Sequence, residues 1–103
     1  MYEYKCIIVR VVDGDTIKVN IDLGFNVWKK ENIRLARINA EELNTDKGKC
    51  IRDYLQTTFG DAEALLKTNK RDKYGRYIGE IIIDNICLSD YLVERFMAEY
   101  VQY

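Results

Sequence analysis

Lys5 to Leu23 reads KCIIVRVVDGDTIKVNIDL, and the patterns on either side of its Asp13-Gly14 set the architecture. From about Lys5 to Val12 the residues are β-branched and apolar, and Thr16 to Leu23 alternates as a half-buried strand does. Asp13-Gly14 between them is a hairpin-turn signal. A third strand-like run covers roughly Glu31 to Ile38. The period then becomes helical. Ile51, Tyr54, Leu55 and Thr58 fall on one face, with Asp46 as the expected N-cap and Gly60 as the expected C′ residue. Two more strands are predicted over Ala62–Thr68 and Tyr77–Asp84, joined by the polar DKYGR turn. Leu88, Leu92, Val93, Phe96, Met97, Tyr100 and Val101 then form one apolar stripe, predicting a closing helix opened by Ser89 and Asp90.

The order βββ-α-ββ-α predicts a mainly β fold with helices. It suits a five-stranded Greek-key barrel of the OB type, with one helix between strands 3 and 4 and a C-terminal helix. At 103 residues the expectation is a single domain spanning 1–103. No apolar window of about 18 residues is present, so no membrane partner is expected. The opening MYEYKCIIVRVV runs straight into a β pattern and lacks the features of a secretory signal, which predicts a cytoplasmic, intracellular protein. Cys6, Cys50 and Cys87 are odd in number and share no metal-like spacing, so buried free thiols are expected. With no histidine and no CxxC, zinc is disfavoured.

The net charge of −1 argues against tight, indiscriminate nucleic-acid binding. The charge is unevenly placed, however. Residues 84–103 hold one basic and four acidic residues, which leaves 15 basic and 13 acidic in residues 1–83. Lys67, Lys70, Arg71, Lys73 and Arg76 gather around Asp72 as a local basic patch.

Three strings carry chemistry: Asp13-Gly14-Asp15-Thr16, then IRLARINAEE from Ile33 to Glu42, then Asp72-Lys73-Tyr74-Gly75-Arg76. Each alone reads as something ordinary. DGD is a hairpin turn, Arg34 a solvated strand charge, Glu42 a surface acid and the Lys67–Arg76 run a hairpin rim. Together they supply carboxylates for a hard cation, a carboxylate base and arginines. Those are the groups a phosphodiesterase without histidine needs to neutralise phosphate, activate water and stabilise equatorial oxygen charge.

In this order the strings resemble the staphylococcal nuclease (thermonuclease) family, calcium-dependent nucleases built on an OB barrel. The likeness runs from about Lys5 to the closing helix. DKYGR after a strand is fairly distinctive, whereas DGDT alone is weak. The resemblance implies Ca2+ as cofactor and DNA and/or RNA as partner. It implies metal ligation by Asp15, Asn39 and the backbone carbonyl of Ala40. Glu42 is implied as general base, taking a proton from the attacking water. Arg34 and Arg76 are implied to grip the phosphate and stabilise the transition state. Lys73 and Tyr74 are implied to contact a neighbouring phosphate, and Thr16 to orient the site. Tyr77-Ile78-Gly79 spells half of the GIY-YIG endonuclease signature, but no Gly-Ile-Tyr precedes it at a suitable distance.

The chain departs from the family pattern at four places. Asn39 stands where an aspartate is usual, which predicts weaker calcium binding, because affinity follows ligand charge. Glu41 replaces a proline before the base; it leaves Glu42 less rigidly held or restores the missing charge. Phe96 occupies a position that is usually glycine. The chain also stops near the end of its closing helix, leaving Phe96, Met97, Tyr100 and Tyr103 as an expected homodimer contact. These departures keep two alternatives open: a catalytically weak or inactive OB module binding nucleic acid, and a protein-interaction domain using the closing helix.

Overall fold

The computed structural model describes residues 2–40, 45–71 and 77–101, leaving aside the side chains of residues 69–71. Five long strands form the barrel: β1 (Tyr2–Asp13), β2 (Thr16–Asp22), β3 (Trp28–Leu35), β5 (Glu63–Arg71) and β6 (Tyr77–Ile83). Between β3 and β5 lie the short β4 (Ile38–Ala40) and helix α1 (Asp46–Phe59). After β6 come β7 (Ile86–Cys87), α2 (Leu88–Glu94) and β8 (Ala98–Tyr100).

The sheet runs β3-β2-β1-β5-β6, and a parallel pairing of β3 with β6 joins its two edges. Closure is what removes exposed strand edges from so small a sheet. This is the predicted five-stranded OB barrel. Alternation delivers one face of each strand inward, so Ile8, Ile17, Val19, Ile33, Leu35, Leu66 and Ile81 are fully buried. The seam passes through Gly79, which registers with Leu35 of β3 and Thr68 of β5. A Cβ there would meet the Lys67 carbonyl oxygen at 2.7 Å, so the strands close this tightly only around a glycine.

Helix α1 packs its buried Gly48, Ile51, Leu55 and Phe59 on the barrel. Thr45 is its N-cap, its hydroxyl accepting from the Gly48 N–H at 3.0 Å. Gln56 ties the helix to β1 by accepting the Val11 N–H at 2.7 Å, where the β1–β2 pairing slips register. Helix α2 buries Leu88 and Leu92, and the buried Ser89 hydroxyl donates to the Ala36 carbonyl at 3.0 Å.

Several expectations need correction. The third strand does not reach Ile38; it stops at Leu35, and Arg37 turns the chain with φ 69°. Ile38–Ala40 is instead a separate strand paired antiparallel with β8. The α1 face differs too, since Tyr54 and Thr58 are exposed, and the cap is Thr45 rather than Asp46. Gly60 ends the helix at φ −57°, and Asp61 takes the left-handed conformation at φ 63°.

The closing helix is only seven residues long. Its apolar stripe does not continue as helix, because Phe96 adopts φ 60° and Ala98–Tyr100 becomes strand. The Phe96 N–H donates to Val93 O at 3.1 Å and the Met97 N–H to Leu92 O at 2.9 Å, the paired bonds of a Schellman ending. All three cysteines are free, but only Cys6 is buried, while Cys87 is partly covered and Cys50 exposed.

Candidate active site

The β1–β2 turn carries the first motif. Asp13 pairs with Thr16 around Gly14-Asp15, and the Asp13 carboxylate accepts the Asp15 N–H at 3.0 Å. This Asx bond fixes the turn. Gly14 matters for what it lacks: a Cβ would lie 2.7 Å from the Ala40 Cβ. The glycine therefore lets β4 settle on the turn, and the Ala40 N–H donates to Asp15 Oδ2 at 3.2 Å. Asp15 is also held by the Thr16 hydroxyl, which donates to Oδ1 at 3.3 Å, and by the Leu35 N–H, which donates to its carbonyl at 2.8 Å.

Arg34 enters from β3 and is only 8 % exposed. Its Nη1 donates to Leu35 O at 3.0 Å. Its Nη2 donates to Ile38 O at 2.8 Å and to Asn39 Oδ1 at 2.7 Å, and lies 3.4 Å from Asp15 Oδ2. A buried guanidinium needs such acceptors, because an unpaired charge there would be prohibitive. Four of the sequence-predicted residues, Asp15, Arg34, Asn39 and Ala40, thus come together from the first turn, β3 and β4. Glu42, Lys73, Tyr74 and Arg76 lie outside the described residues, as does Glu41.

Burial and the hydrogen-bonded, like-charged Asp13 push the Asp15 carboxyl up to about 6, against the opposing pull of Arg34 and the Ala40 N–H. In Asp13, burial also works to raise the pKa. Its hydrogen bonds with Asp15 and with the Thr16 backbone, together with Arg34, outweigh burial and hold it below the usual carboxylate value. Sequence reasoning treats Asp13 as a turn residue only; the Asp-x-Asp spacing was the available signal for its electrostatic role.

The donor chemistry fits a hard cation in kind. Asp15 Oδ2 and Asn39 Oδ1 are both oxygens and both face the same guanidinium nitrogen, so they converge where positive charge already sits. They bring one formal negative charge, and Arg34 occupies it. Among the described residues, no cluster of three or more His, Cys, Asp or Glu exists that would hold a metal by itself.

A second cleft adjoins this one. Asn39 and Ala40 form part of its wall together with Lys47, Phe96 and Glu99, and its volume is about 250 Å3. No helix among the described residues is long and apolar enough to cross a membrane.

Comparison with known proteins accords with this geometry. The chain is 32 % identical over 98 residues to a protein from Escherichia coli named an uncharacterized endonuclease, and equally to its counterpart in strain O157:H7. The match covers 93 % of this chain and 61 % of theirs, so the chain spans less than two thirds of those relatives. It is also 32 % identical over 93 residues to endonuclease YhcR of Bacillus subtilis, covering 81 % of this chain and 8 % of that much longer protein. The family model for staphylococcal nuclease homologues matches residues 32–103. With its OB barrel and this match over most of its length, the chain belongs to the staphylococcal nuclease homologue family.

Proposed function

We propose that this domain is a metal-dependent nuclease that hydrolyses phosphodiester bonds of DNA or RNA. The observation that carries the reading is the convergence of Asp15, Arg34, Asn39 and Ala40, from three separate segments, on one partly enclosed polar site. Calcium is the proposed ion, held by Asp15, Asn39 and the Ala40 carbonyl. When bound, it would supply positive charge next to the phosphate. Arg34 then serves the phosphate oxygens rather than its own carboxylate, a role suited to its planar donor fork. Glu42 takes the proton of the attacking water as the new P–O bond forms. Arg76 shares the growing charge on the equatorial oxygens, while Lys73 and Tyr74 hold a neighbouring phosphate. The bond to the leaving 5′ oxygen breaks and that oxygen takes a proton from solvent to become a 5′ hydroxyl, giving the 3′-phosphate ends that the family resemblance implies.

The test is single-stranded DNA, duplex DNA and RNA incubated with the protein in about 10 mM calcium, above the range of weak protein sites, beside an EDTA control. Cleavage only with calcium is the expected result, and no cleavage at high protein rejects the enzyme. Glu42→Ala and Arg76→Ala should each lower kcat/KM on the order of 100-fold. Losses below about threefold in the same assay mean that other groups carry those roles.

One observation favours the non-catalytic alternative: Arg34 is engaged by Asn39, Asp15 and two backbone carbonyls at once. A module of that kind would retain binding of nucleic acid or a protein without cutting, which the same incubation separates by gel shift. A homodimer through Phe96, Met97, Tyr100 and Tyr103 belongs to this alternative; Phe96 and Tyr100 are exposed, and Tyr103 lies outside the described residues. Sedimentation finding only monomer at high concentration rejects it.

A further inference from the structure

Phe96 combines three properties rarely found together. The residue is 86 % exposed, so it adds little to the core. Its backbone is left-handed at φ 60°, in the Schellman C′ position where glycine is unstrained and a bulky side chain is not. Phe96 also lines the cleft that shares Asn39 and Ala40 with the candidate active site. Neither stability nor turn geometry explains an aromatic here. Backbone strain retained at the edge of a site points to a role in binding.

The remaining lining says what enters. Glu99 registers directly opposite Asn39 in the β4–β8 ribbon, so both side chains leave from the same face. Its carboxylate repels a phosphodiester backbone but not a neutral base. Among the described lining residues Lys47, from the first turn of α1, supplies a cation, where a phosphate flanking that base can lie. A volume of about 250 Å3 is below the roughly 300 Å3 at which drug-sized pockets begin, and matches one planar ring system better than a larger ligand.

We propose that Phe96 is a stacking platform for one base of the bound nucleic-acid strand, seated in the cleft of Lys47 and Glu99 beside the Asn39–Ala40 wall of the active site. The inference rests on the nuclease reading and adds to it a subsite: the strand is bound with a base unstacked from its neighbours, which favours single-stranded substrate. Stacking on an aromatic face is tolerant of base identity, so the subsite selects strandedness rather than sequence.

The test compares wild type, Phe96→Gly and Phe96→Tyr by fluorescence anisotropy in EDTA. The probes are short labelled single strands with intact bases and the same strands with abasic sugars. Wild type should prefer the intact strand about tenfold, and Phe96→Gly should bind both at the abasic level. Phe96→Tyr should keep the preference. Since glycine suits this backbone, Phe96→Gly should also melt no lower than wild type, which separates lost stacking from lost folding. If Phe96→Gly discriminates as wild type does, the inference is wrong, including when the variant turns a dimer into a monomer. If wild type binds neither strand and cleaves nothing in calcium, the nuclease reading and the subsite fall together. Cleavage by wild type with unchanged discrimination in Phe96→Gly overturns the subsite alone.

Discussion

Arg34 donates to Asn39 Oδ1 at 2.7 Å while lying 3.4 Å from Asp15 Oδ2, so the amide receives the shorter contact and the acid the longer one. Replacing the amide by a carboxylate would add a second negative charge at the point where both oxygens converge. Asn39→Asp should therefore tighten calcium binding by about tenfold in calorimetry, since affinity at oxygen sites follows ligand charge. An unchanged affinity removes Asn39 from the ligand set. Gly14 tests how closely β4 settles on the turn that carries Asp15. In Gly14→Ala the new methyl meets Ala40 at 2.7 Å, and the crowding should cost about 1–3 kcal/mol in urea unfolding. The identities of these groups were legible as motifs. Their mutual engagement was not, because a motif names an arginine without saying which acceptors it faces.

Periodicity at the element scale predicted each long strand to within a few residues and failed at the chain's closing segment. Leu88 to Val101 carries a helix-spaced stripe, yet the helix ends at Glu94. Tertiary pairing overrides local preference here: Ala98–Tyr100 exchanges ladder bonds with Ile38–Ala40, and the Val101 N–H reaches Arg37 O at 2.8 Å. Phe96 bears the cost of that turn. Phe96→Gly should gain about 0.5–1 kcal/mol in unfolding, the left-handed penalty less glycine's greater freedom in the unfolded chain. The opposite sign is expected at Gln56, whose side chain accepts the Val11 N–H from 45 residues away. Gln56→Leu leaves that buried donor unsatisfied and should cost about 1–3 kcal/mol. A loss within measurement error would mean that water replaces the amide.

For the whole molecule, two places among the described residues can be tested, one within the barrel and one between the barrel and its closing segment. One is the Gly79 seam, where Gly79→Ala drives a methyl onto the Lys67 carbonyl and should destabilise by about 1–3 kcal/mol without altering the far end of α1. The other is the cluster around Arg37, which bonds Glu80 of β6 at 2.7 Å and Asp90 of α2 at 3.1 Å. The Tyr100 hydroxyl foremost, and Arg37 with it, hold the Asp90 carboxyl below its usual value. A depressed folded pKa stabilises above the unfolded value of about 4, and that contribution is lost as pH falls through the folded value. The melting-temperature advantage of wild type over Asp90→Asn should therefore be constant near neutrality and shrink in acid. An advantage that grows below pH 4 would show the sign to be wrong.

The amino-acid order alone was enough for the barrel strands, the Asp13-Gly14 turn, helix α1 ahead of β5 and the chemical types at the site. Each of those is written within a few residues of neighbours, where side-chain alternation, helical period and turn chemistry act. The tertiary structure alone decided that the third strand breaks at Arg37, that β8 replaces the end of a helix, and that Arg34 lies between Asp15 and Asn39. It also set Phe96 at the mouth of a cleft beside them. Those features depend on pairing β4 with β8 across roughly 60 residues. Such pairing gains its free energy only after the barrel has brought the two segments together, so no local pattern encodes it.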